Sequence, residues 1–483
     1  MSARSRSAPL TAAAAAAYDS RPDVNPPGAV AIILAAGLGT RMRSRLPKVL
    51  HPICGRPMLA YVLDAACEAT GTRPLVVSSP ATAVVREAFA EAADFALQEE
   101  PRGTGDAVRA ALAALPDPTH DLLVLSGDVP LIRADDIREL VARRRATGAV
   151  MALVTVEALD PTDLGRVVRG ARGRVERIVE EKDATPEELG IDEVNAGVYA
   201  FDARWLRRRV GDLRPSPASG ELYLTDLLAF ARADRRRVTT LELEWDGTLD
   251  GINDRVQLAD AELAMRARIN DGHLRDGVTM RDPASAFVDA TVELARDVTL
   301  EPNVILRGRT RVGEGTVIGA GSEIRDSVVG RDCHIWASVL EGAEVEDEVR
   351  IGPFAHLRPG ASIGRGARLG NFAEVKASRV GPGVQQHHFS YIGDADVGAG
   401  ANIGAGTVTV NYDGRRKHRT VIGEGAFIGS DSMLIAPVEI GPGAATGAGS
   451  VVTRDVPAGK LAFGVPARIR ERRRRAAGAE GDD

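Results

Sequence analysis

Residues 345–375 read Val-Glu-Asp-Glu-Val-Arg-Ile-Gly-Pro-Phe-Ala-His-Leu-Arg-Pro-Gly-Ala-Ser-Ile-Gly-Arg-Gly-Ala-Arg-Leu-Gly-Asn-Phe-Ala-Glu-Val. Val345, Ile351, Leu357, Ile363, Leu369 and Val375 recur every six residues, and glycine follows Ile351, Ile363 and Leu369. The same step joins Val298 to Val304, Val312 to Ile318 and Ile324, and Val397 to Ile403. It then runs from Ile422 through Ile428, Leu434, Ile440 and Thr446 to Val452. A six-residue aliphatic repeat with small turn residues is the signature of a parallel β-helix. One aliphatic per hexad points into a narrow triangular core, and the glycines relax the corners. The period reads as broken at Gln385–Tyr391, which holds His387 and His388, and again at Val410–Thr420. Insertions in a solenoid become loops on one face, and such loops tend to carry function.

Upstream, residues 29–254 have a different rhythm. Apolar runs at Val30–Leu34, Leu75–Val77, Leu122–Leu125 and Val150–Val156 alternate with helical stretches such as Ala107–Ala114 and Asp135–Arg145. That pattern predicts an α/β domain, a mostly parallel, Rossmann-like mixed sheet with helices on both faces. Ligands of such sheets bind beyond the carboxyl ends of the strands. The first run empties into Leu34-Ala-Ala-Gly-Leu-Gly-Thr-Arg-Met-Arg-Ser-Arg-Leu-Pro-Lys-Val-Leu50. Gly37 and Gly39 let backbone N–H groups approach a phosphate, and Arg41 and Lys48 add two cations for the same anion. There is no G-x-x-x-x-G-K-[ST], and no third glycine where a dinucleotide fingerprint needs one. Asp128 follows the buried run at Leu122–Leu125, where a carboxylate is costly unless it meets a cation; Mg2+ is the expected one. An Ala-, Leu- and charge-rich segment at 255–275 reads as a linker helix, with the β-helix over 276–460 and a tail over 461–483.

Composition sets the outer limits. A chain of 483 residues calls for two or three domains. Aromatics at 4% beside 51 glycines suit aliphatic cores with many tight turns, and a net charge of −6 gives no reason to expect nucleic-acid binding. Cys54, Cys67 and Cys333 cannot all pair and lack metal-ligand spacing, which points to a reducing, cytoplasmic setting. No apolar stretch approaches the ~18–20 residues of a membrane span. Residues 1–28 read as a disordered extension, and Arg472–Arg475 as a solvated basic tail.

The string L-A-A-G-x-G-T-R-M followed by P-K-V-L resembles the signature of the sugar-1-phosphate nucleotidylyltransferases. The resemblance assigns Leu34, Ala35, Ala36, Gly37 and Lys48 to UTP, with Arg41 and Lys48 as the catalytic cations. Gln98, Gly103 and Thr104 match the segment that reads uracil, and Asn253 matches a second oxygen ligand of the metal beside Asp128. Gly165, Glu180 and Asn195 match positions that hold the sugar in N-acetylglucosamine-1-phosphate uridylyltransferases. Ser126 departs from the pattern, since relatives often carry Tyr before this Gly-Asp.

The second half resembles the hexapeptide acyltransferases, which implies a left-handed helix and a homotrimer with active sites between subunits. His388, with Tyr391 and Gly393-Asp394 behind it, matches the general base of glucosamine-1-phosphate acetyltransferases. Arg358, Lys376, Tyr391 and Asn402 would hold the sugar phosphate. Ala405, Asn411, Tyr412, Ser430 and Ala448 would receive acetyl-CoA, while Lys417 on the protruding loop would reach a neighbouring subunit. The last basic CoA contact has no clear counterpart, because Gly464 stands in its place; Arg468 and Arg470 lie nearby.

Over residues 29–465 the whole resembles the bifunctional glucosamine-1-phosphate N-acetyltransferase/N-acetylglucosamine-1-phosphate uridylyltransferase family. The activity this implies makes UDP-N-acetylglucosamine from small-molecule substrates, with Mg2+ and with neither nucleic acid nor membrane as partner. Two rivals remain: a monofunctional nucleotidylyltransferase with a regulatory or oligomerising solenoid, and a structural solenoid with a degenerate head.

Overall fold

A computed structural model of the chain describes residues 28–116, 121–162, 164–171, 173–217 and 219–471. The expected extension before Gly28 and the Arg472–Arg475 run lie outside the described residues. The chain divides into two compact units, the first reaching to Met265 and the second starting at Arg266.

The first unit is built on a nine-stranded sheet. Its strands are β1 (Ala29–Leu34), β2 (Leu75–Ser78), β3 (Asp94–Leu97), β4 (Asp121–Ser126), β5 (Met151–Glu157), β6 (Arg166–Arg169), β7 (Val175–Val179), β8 (Glu193–Asp202) and β9 (Val238–Leu243). The order is β9-β5-β8-β4-β1-β2-β3, with β6 on β8 and β7 on β6. β1 lies parallel between β2 and β4 in the register Ile32↔Leu75 and Ile32↔Val124. It is central and covered on both faces, so Ala31, Ile32 and Ile33 are all buried and the strand is apolar without alternation. β8 runs antiparallel to β4 and β5, and its register shifts between Asn195 and Tyr199. β1 and β4 end side by side, where Gly127 N–H donates to the Leu34 carbonyl at 2.9 Å. The glycine-rich loop and the loop carrying Asp128 therefore leave the sheet side by side at the carboxyl ends of β1 and β4. Helices α1 (Met58–Thr70), α2 (Thr104–Ala114) and α3 (Ala134–Thr147) bury their apolar faces, and α4 (Arg255–Arg275) carries the chain into the second unit.

The second unit is a left-handed parallel β-helix of three sheets with twelve, ten and nine strands. Ile318, Ile335, Ile351 and Leu369 stack in parallel register on successive coils, and all are buried. Every aliphatic of the six-residue series from Val298 to Val452 is buried. So are Val329, Ile335, Leu340, Val380 and Ile392, which that series skips because some corners are one residue shorter.

Two expectations change. Gln385–Tyr391 does not interrupt the coils: Gln386 pairs with Leu369 in the inward column and is fully buried. The apparent break is a polar residue in an aliphatic slot. Residues 461–471 are not tail, because Lys460–Gly464 and Ala467–Glu471 form a hairpin that extends the twelve-stranded sheet. The interruption at 411–419 is a real loop. Asp413 accepts the N–H groups of Arg415 and Arg416, and a Tyr412–Lys417 bridge closes it.

Two candidate active sites

Beyond the carboxyl ends of β1 and β4, Lys48 joins three segments distant in sequence. Its ammonium contacts an Asp128 carboxylate oxygen and donates to Asn253 Oδ1 at 3.0 Å. Asp128 is tied to the Asn253 loop a second time, its carbonyl accepting from Ile252 N–H at 2.9 Å. Gly39 serves this arrangement. Its φ is +60°, and a Cβ there would stand 2.5 Å from the Lys48 Cβ. Leu34, Ala35 and Ala36 lead to this loop, the alanines buried, with Ser79 Oγ donating to the Ala36 carbonyl at 2.9 Å. Gly37 is different: a Cβ there would meet open space, so its backbone faces solvent freely. Arg41 sits exposed on the Thr40–Met42 turn.

The expected uracil and sugar residues form two neighbouring groups. Gln98 is buried, and its Nε2 donates to Asp106 Oδ2 at 2.8 Å and to the Gly103 carbonyl at 3.3 Å. Gly103 (φ +103°) opens α2 against Leu222, whose carbonyl a Cβ would approach to 2.7 Å. The Thr104 hydroxyl is occupied, accepting from Leu224 N–H at 3.0 Å. In the second group Gly165 packs beside the Glu180 carboxylate, and its carbonyl accepts from Asn195 N–H at 2.9 Å. Glu180 Oε1 accepts from Thr225 at 3.1 Å. Burial pushes the Glu180 carboxyl above its ordinary pKa despite that bond, and Asp226, Asp183 and Glu221 push the same way. Asn195 Nδ2 donates to the Tyr199 hydroxyl at 2.5 Å. Asp106, Thr225 and Tyr199 are additions that no motif in the sequence singled out.

On the β-helix, the expected residues separate along two corners. Arg358, Lys376 and Asp394 follow one another on successive coils, joined by Arg358 N–H to Val375 and Asp394 N–H to Lys376. Asn411 Nδ2 donates to Asp394 at 2.5 Å and to the Tyr391 hydroxyl at 3.3 Å, and Arg358 pairs with Glu374 at 2.9 Å. The Tyr391 ring lies over Gly393, where a Cβ would come within 2.4 Å of its hydroxyl. Lys417 crowds Lys376 within this same chain and, ahead of lost hydration, lowers the Lys376 pKa; Asp394 opposes the shift. The other corner carries His388, exposed, and then Ala405, Ser430 and Ala448 on the coils that follow. Gly406 N–H to Phe389, Asp431 N–H to Ala405 and Gly449 N–H to Ser430 define that stack. His387 is bound to Gln385 at 2.8 Å, a surface pairing. Asn402 lies on the twelve-stranded sheet three residues before Ala405, and Tyr412 is exposed on the loop. Arg468 pairs in register with Phe463, whose Cβ stands 2.8 Å from where one on Gly447 would be, at the end of the Ala448 corner.

Comparison with known proteins agrees with this division. A family model described as a MobA-like NTP transferase domain matches residues 31–185. Another, described as bacterial transferase hexapeptide (six repeats), matches residues 342–377 and 419–454. A protein of Shouchella clausii named "Bifunctional protein GlmU" is 43% identical over 436 residues, 90% of this chain and 96% of its own. Proteins of the same name from Rubrobacter xylanophilus and Pelobacter propionicus are 46% and 44% identical, covering 91% and 90% of this chain and 93% and 95% of theirs.

Proposed function

This chain belongs to the bifunctional GlmU family, and on that premise we propose the reaction sequence its two sites carry. The β-helix acetylates glucosamine-1-phosphate with acetyl-CoA. The first unit then transfers UMP from UTP to the product, releasing pyrophosphate and UDP-N-acetylglucosamine, a nucleotide sugar of cell-wall biosynthesis. The observation that carries both steps is the coverage of the relatives, which spans both units together.

For uridylyl transfer, a sugar-1-phosphate oxygen attacks the α-phosphorus of UTP in line, and no protein nucleophile is needed. Asp128 and Asn253 suit Mg2+, since a cation, the Lys48 ammonium, already lies between their oxygens. Such an ion takes one or two protein carboxylates and fills its remaining positions with phosphate oxygens and water. Bound there, Mg2+ would neutralise phosphate charge as the α–β bond breaks. Lys48, released from Asp128, and Arg41 would meet the remaining phosphate charge. Gln98 would meet the uracil edge, and Glu180 and Asn195 the sugar.

For acetyl transfer, His388 would take a proton from the amine as its nitrogen attacks the thioester carbonyl, and the CoA thiolate would leave. Arg358, Lys376 and Tyr391 would hold the phosphate, and the corner of small residues would receive the pantetheine arm. The sugar-phosphate group and the CoA corner stand apart on one chain, which supports a pocket completed by a second copy. Phe354, Phe372 and Phe389 support it as well, with 59%, 60% and 56% of their surface exposed on successive coils. A homotrimer, as in hexapeptide acyltransferases, would cover them. Glucosamine-1-phosphate, acetyl-CoA and UTP supplied together should yield UDP-N-acetylglucosamine. His388→Ala should impair only the first step and Lys48→Ala only the second; loss of both steps in either variant would refute the division of labour.

A further inference from the structure

One guanidinium beside the first site has no part in the chemistry above. Arg255 opens α4, two residues after Asn253. Its Nε donates to the Met42 carbonyl at 3.2 Å, and its Nη1 meets His51 Nδ1 at 3.3 Å. Those acceptors belong to the two turns that carry the cations. Met42 ends the turn holding Arg41, and His51 closes the Lys48–Leu50 turn, donating its backbone N–H to the Lys48 carbonyl at 3.1 Å. The third segment is the one that bears Arg255. There Asp254 accepts from Val256 and Gln257 N–H at 2.8 and 2.9 Å, and Gln257 Oε1 accepts from Asn253 N–H at 2.7 Å. A single planar fork thus ties the glycine-rich loop, the lysine turn and the loop of the candidate metal ligand.

The identity of residue 51 fits the same role. Arginine offers donors and no acceptor, so His51 Nδ1 must accept and its proton sits on Nε2. His51 is only 4% exposed, and the Leu46 backbone interacts with the protonated side of its ring. What an apolar side chain would lack is the acceptor for Arg255.

We propose that Arg255, through Met42 and His51, is a positioning residue for uridylyl transfer. It holds the Arg41 and Lys48 turns in register with Asn253, so the cations and the metal-binding oxygens converge before substrate arrives. The inference rests on the reading of Lys48, Asp128 and Asn253 given above. A lysine at 255 presents a point charge instead of a fork and lacks the fixed N–H directions that meet both acceptors at once.

The test uses the full-length protein, whose acetyl transfer is an internal control. Arg255→Ala should lower kcat for uridylyl transfer about 10–100-fold, the scale of an ångström-level misplacement, with KM for UTP changed only a few-fold. UTP binding measured by calorimetry in metal-free buffer should weaken in the same variant, and acetyl transfer should be unchanged. Arg255→Lys should fall between the two, His51→Gln should stay near the parent, and His51→Leu should lose activity. The double variant Arg255→Ala/His51→Leu should be no slower than Arg255→Ala, since both act through one link. The inference is overturned if Arg255→Ala lowers only the thermal midpoint while kcat per folded molecule stays unchanged, or if the two losses add. Lys48→Ala separates the two claims: should it keep full uridylyl transfer, the placement of the site is wrong, not just the part given to Arg255.

Discussion

Lys48 and Glu180 show how a single side chain sets the chemistry of its surroundings. Lys48 bridges Asp128 and Asn253, so replacing it leaves a carboxylate without its cation and would remove one of the two cations proposed for the phosphates. Lys48→Ala or Asp128→Ala should cost about 10²–10³ in uridylyl kcat, the scale of one preorganised electrostatic contact. A pyrophosphate-release assay reads it directly. Glu180 makes the opposite bargain with its environment, because burial raises its pKa above the value in the unfolded chain. The folded state then binds more protons, so the stability Glu180 contributes is complete below the unfolded pKa and is lost as pH rises through the raised folded one. Glu180→Gln should remove that decline, raising the thermal midpoint of the first unit at pH 7 relative to the parent. The same change should raise KM for N-acetylglucosamine-1-phosphate about tenfold if the carboxylate grips the sugar. Midpoint and KM moving in opposite directions is the outcome to look for; an unchanged KM would remove Glu180 from the sugar site.

Elements explain which features the sequence disclosed and which it hid. β1, β2, β4, β5, α2, α3 and the inward column from Val298 to Val452 follow from apolar spacing, because spacing is what a continuous core imposes, and α4 follows from its composition. The loop motif exposed Lys48, and Asp128 stood out as a carboxylate placed just beyond a buried strand. Thr225 and Asp106 were invisible, since their roles arise when distant segments meet at Glu180 and Gln98. Gln386 was misread for a related reason: polarity at an inward position looks the same as a broken period until the coil register is known. Its Nε2 donates to Ser390 Oγ at 2.8 Å, and its buried Oε1 has no hydrogen-bond partner among the described residues. Gln386→Leu should therefore match Leu369 and Ile403 along the column and stabilise the solenoid by about 1 kcal/mol, the lower bound for an unpaired buried acceptor. Denaturant unfolding would measure it, and a loss of stability would mean that the amide is satisfied in some way the geometry does not reveal. Gly39→Ala tests the head in the same manner. The added Cβ meets the Lys48 stem and a positive φ, so uridylyl kcat should fall at least tenfold with acetyl transfer intact.

At the scale of the whole molecule, the two proposed sites differ in what they would require of a second copy. Lys48, Asp128, Asn253, Gln98 and Glu180 all belong to the first unit of one chain, so uridylyl transfer should be complete in a monomer. The solenoid divides its residues between two corners and leaves Phe354 and Phe372 stacked at 5.3 Å in solvent, with Phe389 exposed on the next coil beyond His388. An exposed aromatic ladder along one corner of the solenoid is a surface that association would cover. Phe372→Arg places a charge in its middle, and burying an unpaired charge at a contact costs several kcal/mol. The variant should run as a monomer by light scattering, lose acetyl transfer and keep uridylyl transfer. Mixing it with His388→Ala chains should restore little acetylation, since the arginine still faces the shared surface. Were the monomeric variant to acetylate glucosamine-1-phosphate at the parental rate, the pocket would be complete within one chain. The crowding of Lys417 against Lys376 would then be the working arrangement of that pocket, not a resting one.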